Sequence, residues 1–225
     1  MANVLDLQEQ EQLDDLKAFW KQYGNLITWV ITLCLVAFAA WNGWNWYQRE
    51  QAAKAAAMFD ELDRAEVAGE TDKVSRVFAD LKERYPGTAY AEQGALLAAR
   101  AQFDKGQTDA ARATLAWAAD NATEDEYRGI ARLRLAALLL DAKQPAEALK
   151  QLDAAGSVAP LAALVADRRG DALMLQGKKD EAKTAYQAAY KAMDSKLDYR
   201  RLIEAKLTAL GAAPAPEPAA SGVAP

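Results

Sequence analysis

The chain of 225 residues carries a formal net charge of −5 and no histidine, which argues against a nucleic-acid binder and removes the commonest general base and zinc ligand. Its single cysteine, Cys34, can form neither an internal disulfide nor a thiolate metal site, and such sparing use of cysteine suits reducing and oxidising compartments equally. Hydrophobic residues make up 52% of the chain, yet the mean hydropathy is −0.24, so alanine rather than a set of membrane spans accounts for them.

The first 23 residues form an acidic lead-in, in which Asp6, Glu9, Glu11, Asp14 and Asp15 outnumber Lys17 and Lys21. From Gln22 to Gln48 there is no Asp, Glu, Lys or Arg. As a helix this stretch would be about 40 Å long, more than the ~30 Å of a bilayer's hydrocarbon core. Trp20 and Tyr23 stand at one end, and Trp41, Trp44, Trp46 and Tyr47 at the other. Aromatic residues at both ends are the interfacial belt of a spanning helix, and these six are the membrane-anchor residues. Ala37-Phe38-Ala39 matches a signal-peptide cleavage pattern. The long acidic lead-in and the continuation of the apolar run past Ala39 favour an uncleaved anchor over residues 24–47. Lys17 and Lys21 on one side nearly balance Arg49 and Lys54 on the other, so charge does not set the orientation; long C-terminal domains translocate largely regardless of charge, which leans weakly to a cytoplasmic N-terminus. No Gly or Pro occurs between Trp44 and Ala68, so the spanning helix is expected to run unbroken into the next domain.

Residues 48–210 read as a repeat. One pattern recurs four times, with small or slim residues at Val74, Ala111, Ala148 and Ala182, separated by 37, 37 and 34 residues. Four positions on stand Phe78, Leu115, Leu152 and Tyr186, and three further on Leu81, Ala118, Ala155 and Ala189. This i, i+4, i+7 series is one face of a helix, slim where a neighbouring helix must come close. Each such helix follows a turn at Gly69, Gly106, Lys143 or Gly177, and before each turn lies another amphipathic helix. Pro86 and Pro160 close the first and third copies. Helix pairs of about 34 residues cannot bury their faces singly and must stack into a solenoid. The fold class is therefore all-α: one N-terminal transmembrane helix, then a helical-pair solenoid. A helix from Lys196 to Leu210 should cap it, and the Ala/Pro-rich tail over residues 211–225 is expected to be disordered.

The pattern resembles the tetratricopeptide repeat, best in the fourth copy, with Gly170, Tyr186 and Ala189 beside "QGKKDEA". The third copy departs from it, with Lys143 in place of the turn glycine and Arg132 where a large apolar residue is usual. On this pattern the first helices of the pairs line a concave groove. Leu96, Arg100, Phe103, Leu133, Leu140, Asp167, Asp171 and Met174 then face it as partner-binding candidates. A mostly apolar set with a few charges suits an extended or helical polypeptide segment.

No catalytic constellation accompanies the repeats, and the expectation is a protein that is not an enzyme and needs no metal or cofactor. Glu124-Asp125-Glu126 reads as a solvated helix start and Asn121-Ala122-Thr123 as a short sequon match. Arg128, Arg132 and Arg134 form a basic patch that either pairs locally or meets an acidic partner.

With its opening "MANVLDLQEQEQLDDLKAFWKQYGNLI", one Trp-flanked span and the repeat series, the chain closely resembles the YfgM-like family, the ancillary subunit of the bacterial SecYEG translocon. That resemblance implies an inner-membrane anchor, a periplasmic repeat domain, and contact with the Sec translocon and a membrane-anchored periplasmic chaperone of the prolyl-isomerase type. It implies a non-enzymatic role in handing newly exported polypeptides to periplasmic chaperones. The other reading is a membrane-tethered regulator that sequesters a signalling protein, with Leu13, Leu16 and Trp20 on one face of the lead-in as a docking helix.

Overall fold

The computed structural model describes residues 7–156 and 158–214. The first six residues of the lead-in and all of the tail beyond Pro214 lie outside them, and with the latter most of the segment expected to be disordered. The described chain is helical: α1 (Leu7–Val67), α2 (Thr71–Arg84), α3 (Ala89–Asp104), α4 (Thr108–Asn121), α5 (Asp125–Asp141), α6 (Pro145–Ala155), α7 (Ala162–Leu175), α8 (Lys179–Ala192) and α9 (Tyr199–Ala209). A single 3₁₀ turn, Ala159–Leu161, sits between α6 and α7. Contacts divide the chain into two compact units, Met1–Gln51 and Ala52–Pro225.

In the first unit α1 is apolar on every side through its middle, and Leu26, Trp29, Val30, Ile31, Leu33 and Phe38 are all exposed. Thr28 and Thr32 donate to the carbonyls of Gly24 and Thr28, so their hydroxyls add no unpaired polar group. The helix is long and apolar enough to cross a membrane. No break interrupts α1 between Leu7 and Val67, as the lack of Gly and Pro after Trp44 requires.

The second unit is built from the repeat. All twelve positions of the i, i+4, i+7 series are buried, from Val74, Phe78 and Leu81 on α2 to Ala182, Tyr186 and Ala189 on α8. Alanines such as Ala111, Ala148 and Ala182 are buried beside large side chains, among which Leu62, Leu81 and Leu152 are fully buried. Each of those fully buried leucines contributes about 1.5–3 kcal/mol by removal from water. Phe78 on α2 meets Trp117 on α4 edge to face at 5.5 Å, and Phe59 near the end of α1 meets Tyr90 on α3 at 5.9 Å. Thr88 caps α3 by accepting from the Ala91 amide at 3.3 Å, and Pro145 opens α6, where no backbone donor is needed.

One turn geometry is reused throughout. Gly69, Gly106, Lys143 and Gly177 all take left-handed φ values, between +59° and +76°. After each of them an amide reaches back across the helix end, as Gln144 does to the Leu139 carbonyl at 2.8 Å, which closes the helix terminus. Lys143 thus holds the glycine conformation despite its side chain.

Helix α9 closes the far end, where Ile203 and Leu207 are fully buried against Leu173, Ala182, Tyr186 and Met193. Gly211 repeats the left-handed turn at the end of α9, with Ala212 donating back to the Leu207 carbonyl at 2.9 Å. The capping helix therefore resembles the first helix of a further pair.

Candidate binding groove

The first helices of successive pairs, α3, α5 and α7, lie side by side. Between α3 and α5 a cavity of about 280 Å³ is lined by Ala99, Phe103, Leu115, Ala137 and Leu138, with Arg100, Arg134 and Asp141 as its charged residues. Phe103 is 45% exposed at the mouth of this cavity. A second cavity of about 560 Å³ adjoins it between α5 and α7, sharing Ala137 and Asp141 and adding Leu140, Asp171, Met174 and Tyr186.

Of the sequence-derived groove residues, Arg100 and Phe103 line the first cavity and Leu140, Asp171 and Met174 the second. Leu96 and Leu133 are half-buried and pack on the core instead. Asp167 is a correction: it is fully buried and belongs to the seat of α9, not to an open groove. Its carboxylate accepts from the Tyr199 hydroxyl at 2.8 Å and the Lys206 ammonium at 2.8 Å. Asp171 accepts from the same ammonium at 2.7 Å and from the Tyr186 hydroxyl at 2.7 Å, so it too is largely engaged. Buried charge is tolerable here because each carboxylate has both a cation and a hydroxyl donor.

This cluster sets its own proton affinities. Burial, then the hydrogen bond to and the charge of Asp167, push the Tyr199 hydroxyl up to about 12. Tyr186 is pushed up further by burial, by its bond to Asp171 and by the charges of Asp171 and Asp167. Burial works against the charge on Arg168, but Tyr199, Asp171 and Asp167 outweigh it and raise its affinity for the proton.

The basic patch on α5 divides into local tasks. Arg128 pairs with Asp125 and donates to the Ala122 carbonyl at 3.0 Å. Arg132 donates to the carbonyls of Ala154 at 3.0 Å and Ala119 at 3.2 Å, tying the ends of α6 and α4 together. That explains an arginine where the repeat pattern usually has a large apolar residue. Arg134 donates to the Leu96 carbonyl at 3.2 Å and faces the cavity. Burial, and then the like charge of Arg100, lower its affinity for the proton. Glu124-Asp125-Glu126 is exposed at the start of α5, and the exposed Asn121 donates to the Trp117 carbonyl at 2.8 Å.

Sequence reasoning placed Arg134 in a basic patch but not at the groove, and it missed Ala137 and Asp141. Their i, i+3, i+7 spacing was legible as a stripe, but it lies one residue round the helix from Leu133 and Leu140. One residue is about 100° of rotation, and the tilt of α5 against its neighbours decides which stripe faces the cavity. The six anchor residues, Trp20, Tyr23, Trp41, Trp44, Trp46 and Tyr47, are all exposed along α1.

Residues 17–212 match a family described as a tetratricopeptide repeat-like domain. The chain is 30% identical over 208 residues to a Neisseria gonorrhoeae protein named Ancillary SecYEG translocon subunit, covering 91% of this chain and 98% of that protein. It is 28% identical over 186 residues to the Escherichia coli protein of the same name, covering 81% and 87%. A Haemophilus influenzae protein, again so named, is 27% identical over 183 residues, covering 81% and 89%.

Proposed function

The chain belongs to the tetratricopeptide repeat-like family of ancillary SecYEG translocon subunits, and from that premise we propose that it is a membrane-anchored scaffold of the Sec translocon. Residues 24–47 span the inner membrane once and stay in place, residues 1–23 are cytoplasmic, and residues 48–210 form the periplasmic repeat domain. The domain performs no chemistry of its own. It links newly exported polypeptides to periplasmic chaperones, including a membrane-anchored one of the prolyl-isomerase type.

The observation that carries this reading is the open apolar cavity between α3 and α5. Phe103 leaves apolar surface uncovered above a floor formed by Leu115, Ala137 and Leu138. Such a surface suits a polypeptide partner, since binding recovers the free energy of apolar area left in water. The α1 helix supports the membrane half of the reading: it is apolar all round and exposed, so a bilayer is the environment that would cover it.

Photoreactive residues placed at Phe103 and Asp141 in intact cells test the scaffold reading. Crosslinks to translocon subunits, chaperone or exported chains from these two positions, and none from Lys150 on α6, are the expected result. Capture from Lys150 but from neither groove position would refute it.

A further inference from the structure

The groove carries more information than its apolar floor. Its first cavity, about 280 Å³, falls just below the range of ligand-sized pockets, roughly 300 to 1,000 Å³. That is room for an apolar side chain or two, not for a large cofactor. The charged residues around it are Arg100, Arg134 and Asp141, two cations against one anion, on a chain whose net charge is −5.

Among the described residues, neither arginine has a carboxylate within hydrogen-bond distance. Arg134 is held by the Leu96 carbonyl at 3.2 Å and has no carboxylate partner among the described residues. The partner of Arg100 is Asp104 at 3.7 Å, an exposed i, i+4 pair of the kind that contributes little and exchanges readily with water. Burial, and after it the like charge of Arg100, disfavour the protonated form of Arg134, so an anion placed between the two would relieve a repulsion as well as make new bonds. A planar guanidinium accepts a carboxylate with two parallel hydrogen bonds, and that geometry also fixes the direction of the chain carrying it.

We propose that the cavity between α3 and α5 recognises an acidic–apolar polypeptide segment. An apolar side chain enters over Phe103 and Ala137, and a neighbouring Asp or Glu lies between Arg100 and Arg134. Asp141, about two turns along α5 from Arg134 in the cavity lining, disfavours a second acid there and so gives the bound segment a direction. The inference rests on the groove being a polypeptide site and names the class of segment that it selects.

Short fluorescent peptides with a central Leu-Phe flanked by Glu, Gln or Lys test it by anisotropy, on the full-length chain in lipid nanodiscs. The Glu peptide should bind about tenfold more tightly than the Lys peptide at low salt, with the gap narrowing as salt rises. Arg134→Gln should remove most of the preference for Glu over Gln, and so should Arg100→Gln, whose exposed side chain can change without disturbing the fold. Equal binding of all three peptides overturns the charge selection and leaves the groove reading standing. Binding by none of them overturns both. A preference for Glu that survives in both arginine variants places the acid-binding site elsewhere and overturns the proposal as well.

Discussion

Lys143 carries a left-handed backbone, φ +59°, where the corresponding turns have glycine. An L-residue pays about 1–2 kcal/mol for that conformation, and glycine gives back roughly half of the gain through its greater freedom when unfolded. Lys143→Gly should therefore raise stability by about 0.5–1 kcal/mol, read as a higher urea midpoint with unchanged slope. Gly170 has the opposite constraint. A Cβ there would stand 2.4 Å from the Tyr186 ring, whose hydroxyl is held by Asp171. Gly170→Ala should cost about 1–3 kcal/mol by overpacking, whereas Gly87→Ala, which faces open space, should stay within about 0.5 kcal/mol of the parent. The closeness of Gly170 to Tyr186 was half legible, since both belong to the best-matching repeat copy. That they touch follows only from how α7 and α8 cross.

At the scale of elements, α9 depends on a polar seat under an apolar lid. Ile203 and Leu207 supply burial, and Lys206 and Tyr199 answer the charges of Asp167 and Asp171. Lys206→Met would strand Asp167 without its cation in a fully buried position, at a cost of about 3–5 kcal/mol, and α9 should then lose hydrogen-exchange protection before α3 to α6 do. The tyrosine adds a dependence on pH. Folded Tyr199 holds its proton up to about 12, and in the unfolded chain it releases it near 10. Between those values the folded state binds more protons, so the contribution is complete below pH 10 and is lost as the pH climbs through 12. Comparing the parent with Tyr199→Phe by denaturant titration across this window should show a steeper fall in the parent; parallel slopes would show that the hydroxyl does not matter. A capping helix at residues 196–210 was evident from its leucine spacing. Its ionic seat was not, because Lys206 and Asp167 lie 39 residues apart and nothing local pairs them.

For the whole molecule, the apolar stretch within α1 separates two fates, a cleaved leader and a permanent anchor. The anchor reading predicts that the peptide spanning Leu13 to Lys17 is recovered by mass spectrometry from the mature membrane-bound protein, and that alkaline carbonate fails to extract it. A mature chain beginning at Ala40 would rule the anchor out. Length, charge and aromatic placement make this stretch legible because a bilayer imposes a single simple requirement, a long helix with no charge in its middle. The repeat is legible for a similar reason. Each helix needs only its neighbours, so a period of 34 to 37 residues in the sequence already states which faces must be buried. The fold class, the four turns and the twelve buried series positions were thus determined by local pattern and spacing. Which stripe of α5 lines the cavity, and whether Asp167 faces a partner or a lysine, were decided only by the packing of helices distant in sequence. A rotation of one residue about a helix axis leaves the amphipathic pattern nearly unchanged but exchanges Leu133 for Arg134 at the groove, and only the tertiary contacts fix that angle.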